Sequence, residues 1–181
     1  NGYVENYYFP KLVSTGNSCL QGFYIKSIDA PLLETTGDFC LDGPITSLNL
    51  PKLKTTGVNC LFNMHMSKVT LPLLETIGDN SISNVIYNAY PLEEIDFPNL
   101  KTIGAQCFGS LGTLTKISIP SCTNLGGTVG YDYLFLDYTE EPVSRTIYLT
   151  VPSALMTCNG GNPDGDIQNL QLTNTVIITE V

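Results

Sequence analysis

Apolar residues recur along the first two thirds of the chain at fixed offsets from a row of prolines. With Pro10, Pro31, Pro51, Pro72, Pro98 and Pro120 as origins, the positions six, three and one residue earlier are mostly apolar. They read Val4/Tyr7/Phe9, Ile25/Ile28/Ala30, Ile45/Leu48/Leu50, Met66/Val69/Leu71, Leu92/Ile95/Phe97 and Leu114/Ile117/Ile119. Two residues after the proline stands Leu12, Leu33, Leu53, Leu74 or Leu100, with Cys122 departing in the sixth unit. Positions three and one before the proline have the period of a strand with one buried face. Proline ends that strand: it fixes φ, lacks an N–H and holds its predecessor extended. Six residues after each proline comes a glycine: Gly16, Gly37, Gly57, Gly78, Gly104 and Gly126. Such a position suits a corner that needs positive φ or a close approach of two backbones. Each unit is predicted as a short strand, a corner, an inward leucine, a second corner and a return. No unit can bury its apolar residues alone, but stacked units bury them against one another.

The unit L-x-x-I-x-I-P-x-L-x-T-I-G has the period and spacing of a leucine-rich repeat. Residues 114–120 (LTKISIP) and 101–108 (KTIGAQCF) match it closely, and 147–155 (IYLTVPSAL) reads as an irregular last unit. On these residues the chain resembles the BspA-like leucine-rich repeats of bacterial surface proteins, common in Bacteroidetes, well over about 4–126 and loosely over 146–158. The resemblance implies a curved right-handed solenoid, export to the cell surface or secretion, and an adhesive or binding role. The expected fold is a mostly β leucine-rich-repeat solenoid. It would hold one parallel sheet of about six or seven short strands, irregular or short-helical returns, and an extra hairpin as C-terminal cap. Residues 1–126 would form six units, and 127–181 an irregular last unit with the inserted hairpin and the cap.

Charge removes some partners. Eight Lys+Arg stand against seventeen Asp+Glu, a formal net charge of −9, whereas phosphate binding needs a basic face. Nucleic acid is therefore not an expected partner. No apolar run approaches the roughly 20 residues of a membrane helix. The first residues, NGYVENYYFP, lack the basic start and apolar core of a secretory signal. Because 4–9 already reads as a repeat strand, the chain is expected to belong to a longer or leader-processed protein, or to have its first rung covered by a partner. Lipid anchoring at a bacterial outer membrane would be one route to the surface.

Little in the chain points to catalysis, and no cofactor or metal is expected. Cys19, Cys40, Cys60 and Cys107 each lie three residues after a repeat glycine, with Ser81 at the same place in the fourth unit. That column reads as buried free thiols, since rungs about 4.8 Å apart with parallel side chains suit a disulfide poorly. Cys122 and Cys158 lie outside the column, and a bridge between them stays open. His65 is the one imidazole, and a Cys–His nucleophile would need it beside a cysteine on an open surface. There is no C-x-x-C, G-x-S-x-G, H-E-x-x-H or phosphate loop. Residues 160–169 (GGNPDGDIQN) place Asn162, Asp164 and Asp166 at alternate positions, compatible with calcium but equally with an ordinary turn. Glu34, Glu75, Asp38 and Asp79 recur in corners and read as a solvated rim, while Glu93, Glu94 and Asp96 share one strand. Paired carboxylates could serve a glycosidase, but a non-catalytic module is the expectation.

A partner would meet the outward face of the strands, four and two residues before each proline. Those positions read Asn6/Tyr8, Ser27/Asp29, Ser47/Asn49, Lys68/Thr70, Glu94/Asp96 and Lys116/Ser118. Candidate contacts are Asn6, Tyr8, Asp29, Asn49, Lys68, Thr70, Glu94, Asp96, Lys116 and Ser118. Two breaks in the period add Tyr87 and Tyr90 in 83–91, and Tyr131 and Tyr133 in 127–145, where a hairpin could anchor a partner or cap the sheet. The expected function is binding of a protein at the cell surface. A glycan-binding surface protein and a structural spacer are the alternatives.

Overall fold

The computed structural model describes residues 4–22, 24–82, 92–109, 112–126 and 144–181. Its elements follow the proline register: β1 (Asn6–Tyr8), β2 (Ser27–Asp29), β3 (Ser47–Asn49), β4 (Lys68–Thr70), β5 (Thr76–Ile77), β6 (Glu94–Asp96), β7 (Thr102–Ile103) and β8 (Lys116–Ser118). After these come β9 (Thr146–Val151), a 3-10 turn (Ser153–Met156), α1 (Gly165–Thr173) and β10 (Thr175–Glu180). Every pairing between named strands is parallel. The fold is a mostly β leucine-rich-repeat solenoid.

The core is the predicted one except at Val4, which is 59% exposed in the first rung, and Leu48, which is half-buried. Ile28, Val69, Ile95 and Ile117 from the strands, Leu33, Leu53, Leu74 and Leu100 after the prolines, and Phe97 and Ile119 before them are all buried. Cys122 fills the sixth leucine place and is fully buried. In the first rung, Tyr7, Phe9, Leu12, Cys19 and Leu20 pack on this core but stay partly exposed, because no described residue stacks on their other side.

A second ladder runs along the returns. Four residues after each proline, Ser14, Thr35, Thr55, Thr76, Thr102 and Asn124 bridge one another in parallel, and at Thr76/Thr102 the bridge extends to the pair β5–β7. Each unit thus contributes two short extended segments. The β-branched pairs ahead of the glycines (Thr35-Thr36, Thr55-Thr56, Thr76-Ile77, Thr102-Ile103) are the residues that favour this geometry.

The strand face is not one sheet, as expected, but two. β1–β2–β3 form one, and β10–β9–β8–β6–β4 the other. The cause lies just upstream of β4. Met64 is buried and takes the inward place predicted for Met66, which is half-buried, while the His65 N–H donates to the Ile45 carbonyl at 2.8 Å. The register slips there, and among the described residues no ladder joins β3 to β4.

The cysteine column does more than fill space. Each side chain three after a glycine donates to the carbonyl of the preceding rung's glycine: Cys40 to Gly16 (3.2 Å), Cys60 to Gly37 (3.2 Å), Ser81 to Gly57 (3.4 Å) and Cys107 to Gly78 (3.1 Å). Thr15 and Thr36 reach the next rung's sulfur, at 3.7 and 3.8 Å, in Cys40 and Cys60. Thr56 meets the shorter Ser81 instead, and its Oγ1 is buried without a partner. Ser81→Cys is therefore expected to raise stability by about 1 kcal/mol, read as a higher urea midpoint at unchanged slope. A lower midpoint would mean that the Cys60 N–H bond to Ser81 Oγ (3.1 Å) outweighs the orphaned hydroxyl.

The left-handed backbone predicted as one use of the glycines falls elsewhere. Two residues after the glycine, Ser18, Phe39, Asn59, Asn80 and Gln106 have φ of 53–57°. Four after it, Leu20, Leu41, Leu61 and Ile82 have φ of 54–57°. Apolar side chains at positive φ carry a conformational cost of order 1 kcal/mol each, which burial of Leu41, Leu61 and Ile82 in the core offsets.

At the C-terminal end, β9 pairs with β8 and continues the sheet past 126, and β10 lies parallel to β9 from Thr175↔Thr146 to Glu180↔Val151. The crossover between them holds α1, which the sequence reading did not anticipate. Asp164 caps it, accepting from the Asp166 N–H at 2.9 Å, and Ile167 and Leu170 turn into the core. The hairpin expected within 127–145 lies outside the described residues except for its last two positions.

Candidate partner-binding face

Strand pairing lines the outward residues up in two rows. On the first sheet they are Asn6–Ser27–Ser47 and Tyr8–Asp29–Asn49. On the second they are Lys68–Glu94–Lys116–Tyr148–Ile177 and Thr70–Asp96–Ser118–Thr150–Thr179. All ten sequence-predicted strand positions fall in these rows, but the break at β3/β4 divides them into two chemically different patches. Tyr87, Tyr90, Tyr131 and Tyr133 lie outside the described residues.

The first patch is polar and nearly uncharged. Ser27 Oγ donates to Asn6 Oδ1 at 2.6 Å, and Asn49 Nδ2 to Asp29 Oδ1 at 2.7 Å. Tyr8 is 66% exposed. The second patch is ionic: Lys68 Nζ and Lys116 Nζ both contact Glu94 Oε1, at 2.7 and 3.1 Å. Those two ammonium groups, Lys68 first, hold the Glu94 carboxyl below its usual pKa. The pairing is complete above the ordinary glutamate value, near ~4.3, and is lost as pH falls through the lower folded value. A general acid needs the opposite shift, so Glu94 is set for charge pairing rather than proton donation.

Beyond Lys116 the row continues into Tyr148 and Ile177, 53% and 46% exposed. The sequence reading missed both. Tyr148 stands four residues before Pro152, the same offset that named Lys68, Glu94 and Lys116, so the irregular last unit already carried the signal. Ile177 had none, since no proline follows β10.

The remaining candidates have structural employment. Glu34 and Glu75, read as rim, pair with Lys54 and Lys101 at 2.8 and 2.7 Å. Asp38 and Asp79 accept from the backbone N–H groups of Val58 and Ala105, both at 2.9 Å, in the next rung. All six cysteines are free, which removes the Cys122–Cys158 bridge. Burial pushes the Cys107 and Cys122 thiols up to about 12 and about 11, far from a nucleophilic thiolate. His65 is half-buried, and desolvation lowers its pKa. Of the calcium trio, Asp164 is engaged as the helix cap and Asp166 is buried in the first turn of α1. No group of three or more His, Cys, Asp and Glu side chains among the described residues converges as a metal site would. No helix among those residues is long and apolar enough to cross a membrane.

Comparison with curated proteins and with solved structures finds no significant match. Residues 3–87 match the family model described as BspA type Leucine rich repeat region (6 copies). The match spans β1 to β5, and the same offsets carry the geometry onward through β6 and β8. Over residues 3–87, then, the chain is a BspA-type leucine-rich repeat region.

Proposed function

We propose that this chain is a non-catalytic adhesion module of a bacterial cell surface that binds a protein through the outward face of β4, β6, β8, β9 and β10. The family supports the coarse statement, since repeat regions of this type are scaffolds for protein binding and are typically extracellular. One observation carries the finer one: the in-register row Lys68–Glu94–Lys116–Tyr148–Ile177. It sets a hydrogen-bonded charge triad beside an exposed aromatic–aliphatic pair. Aromatic anchors next to oriented charges are what gives protein interfaces their affinity and register.

The test is a binding screen of the purified chain against extracellular-matrix and envelope proteins, run beside a variant carrying Lys68→Ala, Glu94→Ala and Lys116→Ala. A bound protein whose affinity falls about tenfold or more in the variant is expected. A hit indifferent to the three changes, or silence across the panel, overturns this reading, and silence favours a structural spacer.

A further inference from the structure

The three-stranded sheet β1–β2–β3 has a chemistry of its own. Its outward face carries Tyr8, Asp29 and Asn49 in one row and Asn6, Ser27 and Ser47 in the next. In a chain of net charge −9, this face holds a single carboxylate, Asp29, and no cation. The nearest ion pair, Lys26–Glu5 at 2.9 Å, closes on itself. The register break beside β3 separates the face from the Lys–Glu triad.

Size restricts the occupant. Three strands about 4.8 Å apart, with two rows about 7 Å from one another, make a patch of roughly 10 Å by 7 Å. That is far below the roughly 800 Å² per partner of a stable protein interface. It matches a mono- or disaccharide. Chemistry restricts it further. An exposed tyrosine ring offers a flat apolar surface for the C–H face of a pyranose, while planar amide and carboxylate groups pair with vicinal hydroxyls. Asp29 and Asn49 are held by their 2.7 Å bond, and Asn6 by the 2.6 Å bond from Ser27, so these groups are ordered before any ligand arrives. Each keeps unused capacity: the second oxygen of Asp29, the carbonyl oxygen of Asn49 and the amide N–H groups of Asn6.

We propose that the outward face of β1–β2–β3 is a binding site for an uncharged saccharide, stacked on Tyr8 and hydrogen-bonded by Asp29, Asn49 and Asn6. This site is separate from the protein-binding face on β4–β10 and does not depend on it.

The full chain is tested on an array of neutral, sialylated and sulfated glycans, and the best neutral ligand is then titrated calorimetrically. Neutral glycans are expected to be retained. Tyr8→Ala and Asn49→Ala should each weaken binding by about tenfold or more, and Tyr8→Phe by no more than about twofold, because stacking needs the ring and not the hydroxyl. Lys101→Ala, which removes only the return-side pair with Glu75, should leave saccharide binding unchanged. Asn49→Ala touches no core residue and carries the test if Tyr8→Ala fails to fold. No retained glycan, retention of charged glycans alone, or binding unmoved by Asn49→Ala and Tyr8→Ala would each overturn the proposal.

Discussion

Replacing Gly78 with alanine is expected to destabilise the protein by about 3 kcal/mol, while Gly16→Ala leaves its stability unchanged or slightly raised. The two glycines occupy the same place in their repeats and differ only in what precedes them. A Cβ built on Gly78 would lie 2.5 Å from both the carbonyl carbon and the carbonyl oxygen of Gly57, and 2.7 Å from the Val58 nitrogen. These are backbone atoms, which no rotamer change can move aside. The same addition at Gly16 meets nothing within 4 Å. Neither glycine has a positive φ, so conformational freedom is not the reason for glycine here. The reason is contact: each repeat glycine from Gly37 onward lies against the backbone of the rung before it. Alanine at Gly78 would have to lift one rung off its neighbour and break the Gly78 N–H bond to the Thr56 carbonyl, 3.2 Å, along with the Cys107 bond to the Gly78 carbonyl. Urea unfolding of the two variants beside the parent checks this. Equal midpoints for all three would mean that the rungs are not packed backbone to backbone.

That contrast also shows what the sequence made legible. A proline and a glycine recurring in phase fixed the period, and offsets from the proline named the outward rows and most of the core, Val4, Leu48 and Met66 excepted, because steric rules for both residues act locally. The purpose of the glycines was ambiguous, since positive φ and close approach leave the same letter in the chain. Positive φ sits on Phe39 and Leu41, whose side chains give no hint of it. The break between β3 and β4 was equally hidden. Met64 and Met66 are both apolar, two residues apart, and only packing decides which of them turns inward. Cys40 and Cys60 read as small hydrophobes because a thiol's hydrogen bond depends on a carbonyl one rung away. The candidate face was readable wherever a proline marks the offset, and unreadable at Ile177, where none does.

Phe97→Ala is expected to cost about 3–5 kcal/mol, against about 1 kcal/mol for Phe9→Ala, although both residues stand one before a repeat proline. Phe97 is fully buried and continues the register in which Asp96 lies between Thr70 and Ser118, which places it between Leu71 and Ile119. Its backbone is fixed on both sides: the Leu71 N–H donates to the Asp96 carbonyl at 3.3 Å, and the Phe97 N–H to the Ser118 carbonyl at 2.9 Å. Removing the ring leaves a void that walls held in two ladders cannot close, so the cavity cost adds to the lost transfer energy. Among the described residues Phe9 has a rung on one side only; it is partly exposed and stacks on Tyr7 with ring centroids 5.8 Å apart. Truncating it sacrifices less buried surface and leaves a site open to water. In a stack whose stability is a sum over neighbouring rungs, a central defect weakens two interfaces and a terminal one weakens a single interface. Thermal unfolding reads the difference as a fall of roughly 10 °C for Phe97→Ala and a few degrees for Phe9→Ala. Equal falls would show that the central rung is no better packed than the first. Stability would then reside outside the repeat stack, in the C-terminal β9–α1–β10 unit.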